Sequence, residues 1–187
     1  MTAPGHRPLL ADYLALRGRV DALCRRIRER YGRFIACRRG CHDCCTELSV
    51  FPVEAAALAD AFARMPPGPA REAVAAAGPG GCPLLVDGAC ALYEARPVIC
   101  RTQGLPLLLD DAPSEAGAAP AVAFCPRNFR GVTDLAGDAV ISLRRLNTAL
   151  AAVNLRFAAR CRPGRPFPDR IGIRSALRFR CAGGAGP

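Results

Sequence analysis

Four cysteines lie within nine residues of this chain, at Cys37, Cys41, Cys44 and Cys45. In a helix, their offsets of four, seven and eight residues would place all four sulfurs on one face. In a loop, the same short spacings would still let several thiolates converge on one centre. Further along the chain lie Cys82, Cys90, Cys100 and Cys125. Together these thiols suffice for two four-ligand sites, or for one site with additional cysteines beside it.

Clustered thiols of this kind predict a soft metal ion. Thiolates prefer zinc, copper(I) and iron–sulfur clusters over magnesium or calcium. Four sulfurs can close a structural zinc site, and they can equally hold a 4Fe–4S cluster. Adjacent residues such as Cys44 and Cys45 seldom both reach one tetrahedral ion without strain. The doubled cysteine therefore favours iron in a cluster or a paired site, with zinc as the alternative.

The first three cysteines also have the spacing with which radical S-adenosylmethionine enzymes hold their iron–sulfur cluster. Those enzymes usually carry an aromatic residue before the third cysteine, where this chain has Asp43. The repeated strand–helix units of their barrel are also missing from the sequence. We therefore do not expect a radical enzyme.

A longer pattern joins the two cysteine-rich segments. After the four clustered cysteines come Cys82-Pro-Leu-Leu, Gly88-x-Cys90 and Tyr93-x2-Arg96-Pro97-x2-Cys100-Arg101. Over about residues 34–130 this pattern resembles the YkgJ-type CxxCxxCC family, which is described as zinc- or iron-chelating. A related cysteine motif occurs in flagellin lysine N-methylases. By position, the resemblance implies as metal ligands Cys37, Cys41, Cys44, Cys45, Cys82, Cys90, Cys100 and Cys125.

Three residues beside these thiols are candidates for supporting roles. His42 lies inside the motif and is a candidate ligand or neighbour of the metal. Arg96 and Arg101 flank Cys100, and hydrogen bonds from them to sulfur would neutralise an anionic thiolate–metal centre. The alternative for Arg96 is a surface ion pair with Glu94 or Asp87.

Three further cysteines receive no metal-binding role. Cys24 lies near the edge of an apolar helical stripe, where a lone cysteine usually acts as a small apolar residue. Cys161 and Cys181 lie outside the family pattern, and we expect free thiols there or a pair.

The elements that position the cysteines are predicted to be mainly α-helical. Apolar residues three and four apart predict a long helix over 9–31 and a second over 134–160. Pro52 suits the first turn of another helix, and strands are indicated only near 48–51 and 105–109. We therefore expect one small domain over 1–187, with a cysteine core at 34–130. Residues 110–121 should form a flexible loop and 163–187 a flexible tail.

The charge is unevenly distributed along the chain. The net charge is +10, and all 26 basic residues are arginine. Residues 1–40 carry ten arginines against three acids, and residues 141–187 carry ten arginines against one. These basic ends could attract nucleic acid or an acidic partner protein. The alternative is a solvated basic surface.

Composition also restricts the location and the class of function. No apolar run approaches the roughly 20 residues that cross a bilayer, and no signal peptide is evident. We expect a cytoplasmic protein, and in a reducing cytosol eleven cysteines favour metal ligation over a disulfide framework. The preferred function is an iron–sulfur or iron protein in electron transfer, metal handling or redox sensing.

Two alternatives stay open. One is a zinc-stapled interaction module that binds nucleic acid or a protein through its arginine-rich ends. The other is a metal-dependent protein-modifying enzyme related to the flagellin lysine N-methylases. Because the sequence has no Gly-rich nucleotide loop, Ser-His-Asp set or paired carboxylates, the enzymatic alternative ranks last.

Overall fold

The computed structural model describes residues 7–109 and 121–181, and over these residues the protein is mainly α, as predicted. The helices are α1 (Ala11–Tyr31), α2 (Pro52–Ala63), α3 (Pro69–Ala76), α4 (Val98–Thr102), α5 (Leu143–Cys161) and α6 (Ile173–Ala176). The strands are β1 (Ser49–Val50), β2 (Leu85–Val86), β3 (Ala89–Cys90), β4 (Leu107–Leu109), β5 (Ala121–Ala123), β6 (Ile141–Ser142) and β7 (Ile171–Gly172). Among the described helices, none has the length and apolar character that a membrane span requires.

Helix α1 buries the apolar stripe that its sequence predicts. The buried side chains of this stripe are Tyr13, Leu16, Val20, Cys24, Ile27 and Tyr31. The helix begins at Ala11, because Arg7–Leu10 forms a tighter 3₁₀ turn before it. Cys24 behaves as the apolar stripe residue expected of it, since only 2 % of its surface is exposed.

Helix α5 begins at Leu143, well after the predicted start at 134. Two features occupy the intervening residues: a 3₁₀ turn at Gly137–Ala139 and strand β6. The Ser142 hydroxyl then accepts a hydrogen bond from the backbone N–H of Arg145, at 3.2 Å. A serine in this position satisfies a helical N–H that has no partner within the helix, so it marks where the helix can start.

The described chain divides into two compact units. The first contains residues 7–15, 39–97 and 151–181. In it, β1 pairs antiparallel with β7, and α2 packs against α6 and the Arg7–Leu10 turn. Helix α2 begins at Pro52, as predicted, and is buried over most of its length because small alanine side chains let its neighbours approach closely.

The second unit contains residues 16–38, 98–109 and 121–150. Its three-stranded sheet has the order β5-β4-β6, in which β4 pairs antiparallel with β5 and parallel with β6. Its buried side chains include Val20, Ile27, Val98, Leu105, Phe129 and Ile141. The strand predicted near 105–109 is present as β4, and the one predicted near 48–51 is present as β1.

Much of the tail predicted after residue 163 contains secondary structure and buried side chains. Residues 163–181 contain β7 and α6, and Ile173, Ala176 and Phe179 are buried. A disulfide between Cys161 and Cys181 ties this segment back to the end of α5. Residues 182–187, and residues 110–120 of the predicted loop, lie outside the described part of the chain.

Candidate metal centre

The first cysteine segment is a loop with turns at residues 39–40 and 43–44. The backbone N–H of Cys45 donates to the carbonyl oxygen of His42 at 2.8 Å, and that of Thr46 donates to Cys44 at 3.1 Å. Cys44 is exposed, whereas Cys41 and Cys45 are half-buried. The loop arrangement considered for this segment is therefore the one observed, and the single helical face is not.

The second cysteine segment is a short hairpin that carries Cys82 and Cys90. Strands β2 and β3 pair so that Leu85 lies opposite Cys90, and the N–H of Leu85 donates to the carbonyl oxygen of Cys82 at 3.1 Å. Asp87 and Gly88 form the turn with positive φ angles of 49° and 73°. Asp-Gly is a strong signal for this hairpin turn, so the hairpin could have been found in the sequence. It folds Cys90 back beside Cys82.

The thiols of the two segments lie within electrostatic reach of one another. Burial, followed by the neighbouring Cys44, Cys82, Cys90 and Cys41, raises the pKa of Cys45 from 9.0 to about 11. Each neighbouring thiolate would repel a negative charge on Cys45, which is why the pKa rises. The first unit therefore gathers five of the predicted ligands: Cys41, Cys44, Cys45, Cys82 and Cys90.

Nearby arginines partly offset the rise in thiol pKa that burial causes. Burial raises the pKa of Cys82, while backbone N–H groups and the charge of Arg174 oppose that rise. Burial likewise raises the pKa of Cys90, and the charges of Arg96 and Arg39 act against it. A positive charge near a thiol stabilises the thiolate, which is the form that binds metal. Arg39, which lies between Cys37 and Cys41, was not singled out in the sequence, and nothing in the spacing relates Arg174 to the cysteines.

A stack of arginine on tyrosine holds two of these cations beside the hairpin. The guanidinium carbon of Arg96 lies 3.5 Å from the centre of the Tyr93 ring, and that of Arg39 lies 5.4 Å from it. The side chain of Arg96 also donates to the carbonyl oxygen of Tyr93 at 2.9 Å. The ring thus presents its electron-rich face to both cations, which orients them. His42 lies nearby, against the hairpin tip, since a Cβ added to Gly88 would be 3.6 Å from its ring.

Two further predicted ligands, Cys37 and Cys125, lie together in the second unit. Both contact Gly104: a Cβ added there would lie 2.9 Å from the Cys37 sulfur and 3.4 Å from the Cys125 Cβ. Asn128, which is 1 % exposed, donates to the Cys37 sulfur at 3.3 Å and to the carbonyl oxygen of Gly104 at 2.7 Å. Its oxygen accepts from the backbone N–H groups of Ala36 and Cys37 at 2.9 and 3.2 Å. Sequence reasoning missed Asn128, which lies far from Cys37 along the chain.

The remaining residues singled out in the sequence lie on α4. Cys100 is half-buried in the middle of this helix. Arg101 is 6 % exposed and donates to the carboxylate of Asp21 at 2.6 Å, while its carbonyl oxygen faces the Cys24 thiol at 3.6 Å. A hydrogen bond from Arg101 to a ligand sulfur stays a prediction.

The donor set of the first unit fits zinc or iron by its chemistry. Five thiols and three neighbouring guanidiniums form a sulfur-rich, positively supported environment that suits these soft ions. Over the described ranges, no three histidine, cysteine, aspartate or glutamate side chains are already arranged as a metal shell. The sulfurs are gathered near one another without forming closed coordination.

One comparison with known proteins finds a family model that matches the centre of the chain. Residues 36–116 match the CxxCxxCC family. Its model is described as a putative zinc- or iron-chelating domain, and the predicted resemblance is thereby confirmed. The match includes both cysteine segments and α4, whereas Cys125 and Arg174 lie beyond it. No curated protein and no solved structure matches the chain.

Proposed function

We propose that the CxxCxxCC segment binds zinc or iron through the thiolates of Cys41, Cys44, Cys45, Cys82 and Cys90. The observation that carries this proposal is that Cys41, Cys44, Cys82 and Cys90 all lie close enough to Cys45 to raise its pKa. Neighbouring thiolates repel one another, and a bound cation removes that repulsion. Metal binding therefore stabilises the two cysteine segments in a common arrangement. The ligand roles of Cys37, Cys100 and Cys125 in the second unit stay predictions.

Iron, in an iron–sulfur cluster or bound directly by thiolates, is the preferred metal. The adjacent Cys44 and Cys45 are most easily satisfied by two different metal atoms, which a cluster provides. When bound, such a cluster would accept and release an electron, which suits electron transfer or redox sensing. Arg39, Arg96 and Arg174 would then lower the negative charge of the thiolate centre, a factor that tunes reduction potential.

The metal is identified by elemental analysis together with an absorption spectrum of protein purified without oxygen. Brown protein with absorption near 400 nm and stoichiometric iron would support the preferred assignment. Colourless protein with one or two equivalents of zinc would establish zinc instead. Purified protein that contains neither metal, and binds neither when they are added, would contradict the proposal.

Cysteine variants test which thiols hold the metal. Cys45→Ser and Cys82→Ser each remove one of the five gathered thiols, and we expect each to lower the bound metal by more than half. Cys24→Ala is the matched control, because it removes a buried thiol outside the motif. Equal metal content in all three variants would show that the gathered thiols are not ligands.

A zinc-stapled interaction module is the second candidate function. It is favoured by the exposed arginines of α1, among them Arg19, Arg25 and Arg26. If these arginines bind nucleic acid, the affinity should fall steeply with added salt, because counterions are released on binding. Binding that does not change with salt, or no binding, would remove this candidate. A protein-modifying enzyme stays the third, and it requires a coordination position left open to substrate.

A further inference from the structure

Arg174 lies in α6, far along the chain from the cysteines and outside the segment that matches the family. Its side chain donates hydrogen bonds to the carbonyl oxygens of Ala77 and Gly81, the latter at 3.5 Å. The same guanidinium forms an ion pair with Glu47, with 3.5 Å between nitrogen and oxygen. One side chain therefore contacts three separate points of the first unit.

Two of these points, Glu47 and Gly81, lie next to the two cysteine segments. Glu47 follows Cys45 by two residues, and Gly81 directly precedes Cys82. Helices α2 and α3 separate the two segments along the chain. Because a guanidinium presents five donors in a wide, fixed plane, it is better suited than the compact ammonium of a lysine to hold both segments at once.

The backbone around Arg174 is itself attached to the first cysteine segment. Strand β7 pairs with β1, which follows that segment, and the N–H of Ile173 donates to the carbonyl oxygen of Leu48 at 2.9 Å. Ile173 and Ala176 of α6 are fully buried. Arg174 thus projects from a well-packed element, so its contacts can restrain the more exposed loops.

We propose that Arg174 is a positioning residue of the metal centre, which fastens the segment carrying Cys44 and Cys45 to the segment carrying Cys82. In this role it does not bind the metal. By holding the two distant segments together, it reduces the conformational freedom that their thiols must lose in order to bind one metal centre. The inference rests on the proposed metal-binding function of the five thiols.

The test compares Arg174→Gln with Arg178→Gln. Arg178 is an exposed arginine on the same segment, so its removal changes the net charge equally without touching the cysteine segments. Affinity for Zn²⁺ is measured by competition with a chromophoric chelator. We expect Arg174→Gln to bind about 10-fold more weakly, at the lower end of effects for residues that support metal ligands. Arg178→Gln should bind as the wild type does.

A third variant and an absorption spectrum distinguish a positioning role of Arg174 from an effect of its charge and from a loss of global stability. Arg174→Lys keeps the charge but lacks the planar fork of the guanidinium, so it should recover only part of the affinity. With Co²⁺ as the probe, Arg174→Gln should show a weaker sulfur-to-metal charge-transfer band per bound ion, because fewer thiolates reach the metal. A loss of global stability alone would leave that band unchanged in the folded fraction.

The inference is overturned if Arg174→Gln binds Zn²⁺ as tightly as Arg178→Gln, or if Arg174→Lys restores full affinity. It is also overturned if the Co²⁺ band per bound ion is unchanged. Failure of the proposed function looks different, since the wild-type protein itself would then bind neither Zn²⁺ nor iron.

Discussion

Burial disfavours the ionisation of three thiols in the candidate metal centre. Cys45, Cys82 and Cys90 all have a raised pKa, chiefly because burial disfavours the thiolate. At neutral pH these groups therefore hold their protons. A metal ion must displace those protons, so binding is a competition between metal and protons at each sulfur.

Zn²⁺ affinity should consequently weaken as the pH falls. The sign follows from the raised pKa values: below them, lowering the pH makes each proton harder to displace. Between about pH 6 and pH 8, the apparent association constant should change by about tenfold per pH unit for each proton released. Chelator competition at several pH values, corrected for the chelator's own protonation, measures this slope. Affinity that does not vary with pH would contradict ligation by these thiols.

Asn128 holds Cys37 and its neighbours Ala36 and Gly104 together through hydrogen bonds. Replacing it with alanine leaves the carbonyl oxygen of Gly104 and the N–H groups of Ala36 and Cys37 without this partner. We expect Asn128→Ala to lower the free energy of unfolding by about 3 kcal/mol, the cost typical of losing buried hydrogen-bond partners. Asn147→Ala, at an exposed position of α5, is the control and should change it by less than about 0.5 kcal/mol. Chemical denaturation measures the free energy of unfolding of both variants. Equal losses in the two variants would refute the structural role of Asn128.

At the scale of elements, short loops place the cysteines rather than the long helices. The β2–β3 hairpin sets Cys90 beside Cys82, and its Asp87-Gly88 turn fixes the register. In the second unit, the turn after α4 brings Gly104 against Cys37 with a φ of +83°. A side chain at Gly104 would meet both an unfavourable backbone conformation and a sulfur at 2.9 Å.

A pair of glycine variants separates these two effects. Gly104 and Gly131 have similar positive φ angles, but a Cβ at Gly131 would meet nothing within 4 Å. Both alanine variants should lose about 1–2 kcal/mol from the backbone conformation. Gly104→Ala should lose roughly 1–3 kcal/mol more, because it overpacks the space beside Cys37. Thermal or chemical unfolding of the two variants measures the difference. Equal destabilisation would show that Cys37 can move away from the added Cβ at little cost in free energy.

At the scale of the whole molecule, the C-terminal region is more important than its composition suggests. Rich in proline, glycine and arginine, it nevertheless supplies β7, α6 and Arg174 to the first unit. Phe179 packs between Phe157 and Phe167, with ring centres 6.1 and 5.3 Å away. The Cys161–Cys181 disulfide closes this segment onto α5.

Reduction of that disulfide should destabilise the protein. A crosslink that spans 20 residues contributes about 3 kcal/mol by restricting the unfolded chain. Denaturation with and without a phosphine reductant measures the effect. Cys181→Ser should be less stable than the wild type and should show no further change on reduction. If the reductant leaves wild-type stability unchanged, the bond is either not formed or makes no contribution.

The sequence by itself determined the donor chemistry and the main helices. Thiols at close spacing select soft metals whatever the fold, and the apolar stripe of α1 and Pro52 of α2 act through local periodicity and backbone geometry. The late start of α5 was not predicted, because pairing of Ile141 and Ser142 with β4 is a long-range contact. The cytoplasmic location and the full ligand set stay predictions.

Only the tertiary structure decided which residues surround the thiols. Arg174 and Asn128 approach cysteines that are distant along the chain, and no periodicity or spacing relates them. Chain packing decides these contacts, because a guanidinium or an amide can form a hydrogen bond with any suitable group that the fold brings within reach. Local spacing therefore predicts the candidate ligands, whereas the positions of their side chains depend on contacts that form only when the chain folds.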